Sequence, residues 1–173
     1  MSRLATGLSI AVVLACATPA LARPLEMQLP YGKEACWERS YDAAHLAAHP
    51  GQKVVGIKLA KVAESTDFPQ TAVTLYINLR KRTAESDGGY DYSNTAFCKG
   101  SGKALACENE YGLGKFRIEA APNGGLIIRN PGIWANPNPY DAEEKADDAV
   151  SIPAKPDDGS WLLDRKMTTN CPY

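Results

Sequence analysis

The sequence is poor in the side chains that most enzyme chemistry uses. Among 173 residues there are two histidines, His45 and His49. They lie four apart, the spacing at which two imidazoles on one helical turn share a metal, but Leu46 stands where the H-E-x-x-H pattern needs its general-base glutamate. The cysteines contain no C-x-x-C pair, which argues against a zinc-thiolate site. Gly100-Ser101-Gly102 is not the G-x-S-x-G nucleophile elbow, and Gly112-Leu113-Gly114 is too short for a dinucleotide fingerprint. No motif calls for a cofactor. Basic residues do not outnumber acidic ones, 19 against 20, whereas a nucleic-acid surface that releases counterions needs a basic stripe. The one basic cluster, Arg80-Lys81-Arg82, reads as a solvated strand end, so nucleic acid is not an expected partner. No stretch reaches the roughly 20 apolar residues of a membrane-spanning helix. No repeat of 20 to 50 residues is visible, which excludes solenoids and propellers.

The amino terminus carries the clearest positive signal. Arg3 supplies a basic n-region, Leu4 to Ala15 an uncharged, mostly apolar h-region, and Ala20-Leu21-Ala22 an A-x-A cleavage site before Arg23. Residues 1–22 are therefore expected to be a secretory signal peptide, and the protein to be periplasmic or secreted. Val13-Leu14-Ala15-Cys16 offers an alternative, a lipobox that would anchor the chain through a lipidated Cys16, although Leu14 is unusual in that motif. Cleavage after Ala22 leaves 151 residues, enough for one domain with its own core, and a net charge of −2 from eighteen bases and twenty acids.

Four of the five cysteines, Cys36, Cys98, Cys107 and Cys171, lie beyond the leader. An exported chain with four cysteines is expected to form two disulfides, and three pairings are open. The most economical joins Cys98 to Cys107 across a hairpin and Cys36 to Cys171 near the two ends.

Strand patterns dominate the rest. In "TAVTLYINLRKR", Val73, Leu75, Ile77 and Leu79 alternate with Thr74, Tyr76, Asn78 and Arg80, which predicts a half-buried antiparallel strand. "QKVVGIKLAKV" places Val55, Ile57 and Leu59 on one face and Lys58 on the other. Gly100-Ser101-Gly102 turns "YDYSNTAFC" into "KALACENEY". Pro122-Asn123-Gly124-Gly125, with Asn and Gly suited to positive φ, joins "KFRIEAAP" to "GLIIRN". "CWERSY" and "SWLLDRKM" read as the first and last strands. Between the first two strands, Asp42 is placed to cap a short alanine-rich helix that Pro50-Gly51 ends. A residue before proline is pushed out of the α region, so His49 need not share a face with His45. The pair is thus only a weak metal candidate.

The expectation is an all-β fold, an antiparallel barrel or sandwich of about eight strands with one short helix after the first strand. Residues 23–173 form a single disulfide-bonded domain, interrupted by a Pro- and Asp-rich excursion loop at 130–159. Two function classes fit. The first is a non-enzymatic binding module of the cell envelope, whose partner is a protein, a glycan or a small molecule held at a barrel mouth or by the long loop. Trp134, Tyr140 and Trp161 are its candidate contacts. The second is a hydrolase using Glu108 and Glu110, about 7 Å apart by strand rise, or a metal at His45 and His49. The simpler account of the glutamates, and the favoured one, is an alternating strand that shows its carboxylates to water.

The run His49-Pro50-Gly51-Gln52-Lys53-Val54, the Cys98 to Cys107 hairpin followed by "ENEYGLGKF", and the closing "DDGSWLLDRKMTTNC" together resemble a family of small exported bacterial proteins of unknown function. The resemblance implies a secreted, disulfide-stapled β domain and carries over no catalytic residues. Glu110-Tyr111-Gly112 departs from the glycine-rich acidic turn that the family has after the second hairpin cysteine.

Overall fold

Alternation of apolar and polar residues produces strands throughout the chain. A computed structural model describes residues 25–66, 70–81, 90–101, 103–109, 111–137 and 149–166, the side chains of residues 26 and 101 excepted. The strands are β1 (Ala35–Ser40), β2 (Val54–Lys61), β3 (Thr71–Leu79), β4 (Tyr92–Ser101), β5 (Ala104–Glu108), β6 (Lys115–Ala120), β7 (Leu126–Arg129), β8 (Ile133–Pro137), β9 (Val150–Ile152) and β10 (Ser160–Lys166). Two short helices accompany them, α1 (Leu25–Gln28) and, directly after the first strand, α2 (Ala43–Ala48). Eight strands form a closed antiparallel barrel in the order β3-β2-β1-β10-β7-β6-β5-β4, with β4 returning to pair with β3. Closure removes the exposed sheet edges that an open sheet would carry.

The barrel interior is the core. Ile57, Leu59, Val73, Leu75, Ile77, Phe116, Ile118, Leu126, Ile128 and Leu163 point into it, together with Trp37 and Trp161. Charged side chains of the same strands, including Glu108, Arg117, Arg129 and Asp164, stand outside. That is the reverse of a membrane-spanning barrel, whose apolar side chains face lipid and whose lumen is polar. No helix of the described residues is long and apolar enough to cross a membrane.

One inward residue differs from the periodic expectation. The β2–β3 register slips between Val54 and Gly56, so Val54 turns inward and is fully buried while Val55 is only half-buried. A bulge inserts one residue and flips the alternation on one side of it.

The barrel wall is divided at β4. The far half of β4 pairs with β5, from Phe97 opposite Glu108 to Ser101 opposite Ala104, whereas its near end pairs with β8 at Tyr92 and Ser93. The β8–β9 hairpin thus completes the wall below the β5–β6 turn, and Ile133, Ala135 and Ile152 extend the core there. The expected excursion loop at 130–159 is therefore not loop throughout, because it contains two strands with buried inner residues. Pro139 and the acids between them, within residues 138–148, lie outside the described residues. The opposite end of the barrel is covered by α1, whose Leu25 joins Leu29 in the core.

Candidate functional site

The division of the wall creates the most distinctive surface on the described part of the protein. Where β5 stops and β8 takes over, side-chain amides replace strand-to-strand backbone bonds. Asn109 Nδ2 donates to the Thr95 carbonyl (2.6 Å), while its Oδ1 accepts from Tyr111 N (2.7 Å) and Leu113 N (3.2 Å). Asn94 Nδ2 donates to the Trp134 carbonyl at 2.7 Å. The Trp134 N–H donates to Leu113 O at 2.8 Å, and Gly114 bridges to Ile133. Gly114 takes φ +105, and a Cβ there would press on the Gly132 carbonyl, so the close passage of the two segments needs glycine. Gly112-Leu113-Gly114 thus forms a strand junction.

This backbone presents two aromatic side chains to solvent, Trp134 at 48% exposure and Tyr111 at 74%. Of the three expected aromatic contacts, Trp134 is at the surface. Trp161 is not: it is buried in the core at 1% exposure, and its Nε1 donates to Asp158 Oδ1 (3.3 Å). Its place on the inward face of β10 gives it a packing role and corrects its assignment as a ligand contact. Tyr140 lies outside the described residues. Tyr111 was not singled out from the sequence; its signal is an aromatic at the tip of a glycine-containing turn, where no core lies within reach.

The histidines sit elsewhere, at the barrel end where α2 connects β1 to β2. Asp42 caps the helix by accepting from His45 N at 2.7 Å, and His49 leaves helical geometry at φ −122, ψ 72. The two rings nevertheless stack, with centroids 4.5 Å apart, and Tyr41 stacks on the other face of the column at 4.6 Å from His45. His49 thus shares a face with His45 after all, because its backbone N–H still bonds to His45 O. Nitrogen lone pairs lie in the ring planes, and planes 29° apart do not point both pairs at one nearby ion. His45 Nε2 is occupied by Gln52 Oε1 at 3.0 Å. Among the described residues no group of three or more His, Cys, Asp or Glu side chains gathers as a metal site requires. Burial, the Asp158 charge adding to it and Arg39 opposing, pushes the Tyr41 hydroxyl up to about 12.

Beside this helix the unusual sequence runs converge. In "HPGQKV" and "DDGSW", Asp157 Oδ2 accepts from Gly51 N (3.0 Å), Asp158 Oδ2 from Lys53 N (2.6 Å) and Asp158 Oδ1 from Val54 N (3.2 Å). A side chain at Gly51 would collide with the Pro156 ring. The two runs form a clasp between the start of β2 and the approach to β10, which is a structural task.

The carboxylate pair does not assemble on the described residues. Glu108 is exposed on the outer wall and paired with Lys115 at 2.8 Å, and Glu119 is paired with Arg129 at 2.9 Å. Glu110 lies outside the described residues. Cys98 and Cys107 face each other across β4 and β5 and form a disulfide, with Cα atoms 4.0 Å apart. Cys36 is disulfide-bonded, and Cys171, its expected partner, lies outside the described residues. On the outer wall Lys58 lies over Tyr76 (4.4 Å) and Tyr90 (4.9 Å), and Tyr90 donates to Glu38 at 2.7 Å. Burial under these rings lowers the Lys58 pKa, Glu38 opposing, and burial raises that of Tyr90, with the bond to Glu38 adding to the rise. The cluster is inward-satisfied and pins the approach to β4.

No family model, curated protein or solved structure matches this chain.

Proposed function

We propose that the protein is an exported binding module of the cell envelope, released from a leader at residues 1–22, and that it holds its ligand on the aromatic surface of Trp134 and Tyr111 rather than transforming it. The observation that carries this reading is the exposure of Trp134 on a strand whose N–H and C=O are both fixed, by Leu113 and Asn94. Exposing a large aromatic costs hydrophobic free energy, and holding it rigidly lowers the entropy lost on binding. Polar neighbours, Ser151 opposite Trp134 on β9 and Asn136 on β8, favour a glycan, whose CH-rich ring faces stack on aromatics while its hydroxyls take polar partners. The barrel interior is filled by core side chains, so a ligand held deep inside the barrel is not favoured. The hydrolytic alternative needs Glu108, which Lys115 already engages, and Glu110.

Trp37 and Trp161 are buried, so Trp134 is the tryptophan that solvent quenchers and ligands reach first. Titration with soluble N-acetylhexosamine oligomers is expected to shield its emission from acrylamide, and Trp134→Ala is expected to weaken binding about tenfold or more, ~1.4 kcal/mol. Unaltered quenching with every envelope oligosaccharide tried would remove the glycan reading.

A further inference from the structure

At the end of the barrel covered by α1 lies a cleft of about 250 Å³, lined by Leu25, Leu29, Tyr31, Thr71, Gly100, Ala104 and Leu105. It is larger than the ~150 Å³ cavity that accepts a benzene molecule. Its lining is predominantly, though not wholly, apolar. The hydroxyl of Thr71 is committed to Glu64 Oε1 at 2.8 Å, and that of Tyr31 is directed at Ser65 O at 3.4 Å. Gly100 keeps the space open: a Cβ there would meet nothing within 4 Å, although a strand glycine gives up both packing and backbone entropy. The space therefore favours the apolar part of whatever enters.

The rim has a different character. Met27, Tyr31 and Val62 are exposed around it. Lys103 directly precedes the lining residue Ala104, Lys33 follows Tyr31 by two residues, and Lys166 ends β10 at the same end; all three are exposed. Among the described residues of the connections at this end, Glu34 is the one exposed acid. Glu64 is buried and neutralised by Lys61 at 2.6 Å. Exposed Lys33, Lys103 and Lys166 thus stand at the same end of the barrel as this narrow, mostly apolar cleft.

From this pairing we infer that the cleft is a second binding site, for a monomeric single-chain anionic amphiphile such as a medium-chain carboxylate, with its chain between α1 and the β3–β5 rim and its head group at Lys103. A concave cleft of this volume takes one chain and does not accommodate a flat bilayer. The site is separate from the Trp134 surface and does not depend on the reading given to that surface.

Decanoate below its micellar concentration, titrated calorimetrically into the exported protein, tests it. One-to-one saturable binding is expected, with decyltrimethylammonium binding about tenfold more weakly or not at all. Gly100→Leu fills the cleft and is expected to abolish binding while leaving the melting temperature unchanged or higher. Lys103→Glu should weaken binding about fivefold, and Trp134→Ala should leave it unchanged. In the unmodified protein, nuclear Overhauser contacts should join the decanoate chain to the methyl groups of Leu25 and Leu105, a readout that holds if Gly100→Leu does not fold. Absence of saturable binding, undiminished binding to a folded Gly100→Leu protein, equal affinity for the cationic analogue, contacts only to methyl groups outside the cleft, or binding to vesicles alone would each overturn the assignment.

Discussion

Lys61 and Glu64 show how single residues decide stability in this fold. Lys61 points inward at the barrel end, and its Nζ meets Glu64 Oε2 (2.6 Å), Lys33 O (2.9 Å) and Val62 O (3.3 Å). Burial alone would raise the Glu64 pKa, but hydrogen bonds from Lys61, its own backbone N–H, Thr71 and Gly32 outweigh it and hold the carboxyl below its ordinary value. A depressed carboxyl stabilises the fold above its unfolded pKa, about 4.3, and that contribution is lost as pH falls through the lower folded value. Glu64→Gln is therefore expected to cost ~3 kcal/mol in urea unfolding near neutral pH, because it leaves Lys61 buried without its carboxylate partner. The difference from the parent should shrink only in strongly acidic solution; a difference that instead shrank as pH rose would contradict the assignment. The histidine column has no such role. Replacing His45 and His49 together with Gln should change stability by less than about 1 kcal/mol and leave titrations with Zn²⁺, Cu²⁺ and Ni²⁺ unaltered, whereas stoichiometric metal binding that vanished in the variant would make the pair a site.

Among the elements, those fixed by local alternation were legible in the sequence. β3 runs where Val73, Leu75 and Ile77 predict it, α2 begins at its Asp42 cap, and Asn123 adopts the positive φ (58°) expected of the turn before β7. Elements set by distant partners were not legible. Val54 replaces Val55 inside because of a slip against β3, and β8 and β9 hide in a proline-rich run because their inner residues alternate over only a few positions. Trp134 and Trp161 look alike in sequence, and only the face of the strand each occupies separates surface from core. The aspartates of "DDG", which the sequence places in the excursion loop, serve as acceptors for a loop about a hundred residues away. Asp158 satisfies two backbone N–H groups and the Trp161 indole from a buried position. Asp158→Ala strands those donors and should cost about 2–4 kcal/mol. Amide exchange should accelerate most at Lys53 and Val54, and a uniform change across the barrel instead would show that the clasp is not a local latch.

At the scale of the whole molecule, barrel closure depends on contacts between the two ends of the sequence. β1 lies between β2, its neighbour in the chain, and β10, whose Arg165 stands opposite Trp37. Trp37 from β1 and Trp161 from β10 share the one core with residues of β2 through β9, and Trp37 Nε1 donates to Gly124 O beyond β6. A sub-barrel lacking this seam would leave that core open along its length, so partial structures bury too little apolar surface to offset their ordering entropy. The long sequence separation of the seam also makes closure slow, in the millisecond-to-second range typical of non-local β folds. Loss of the buried-tryptophan environment and loss of strand structure should therefore be one event. Equilibrium urea unfolding of a Trp134→Phe variant, in which only Trp37 and Trp161 report, is expected to give superimposable transitions by fluorescence and by far-ultraviolet circular dichroism. A fluorescence transition at lower urea than the dichroism transition would mean that the β1–β10 seam opens while the remaining strands stay paired, and the barrel would then be held together by its local hairpins rather than by closure.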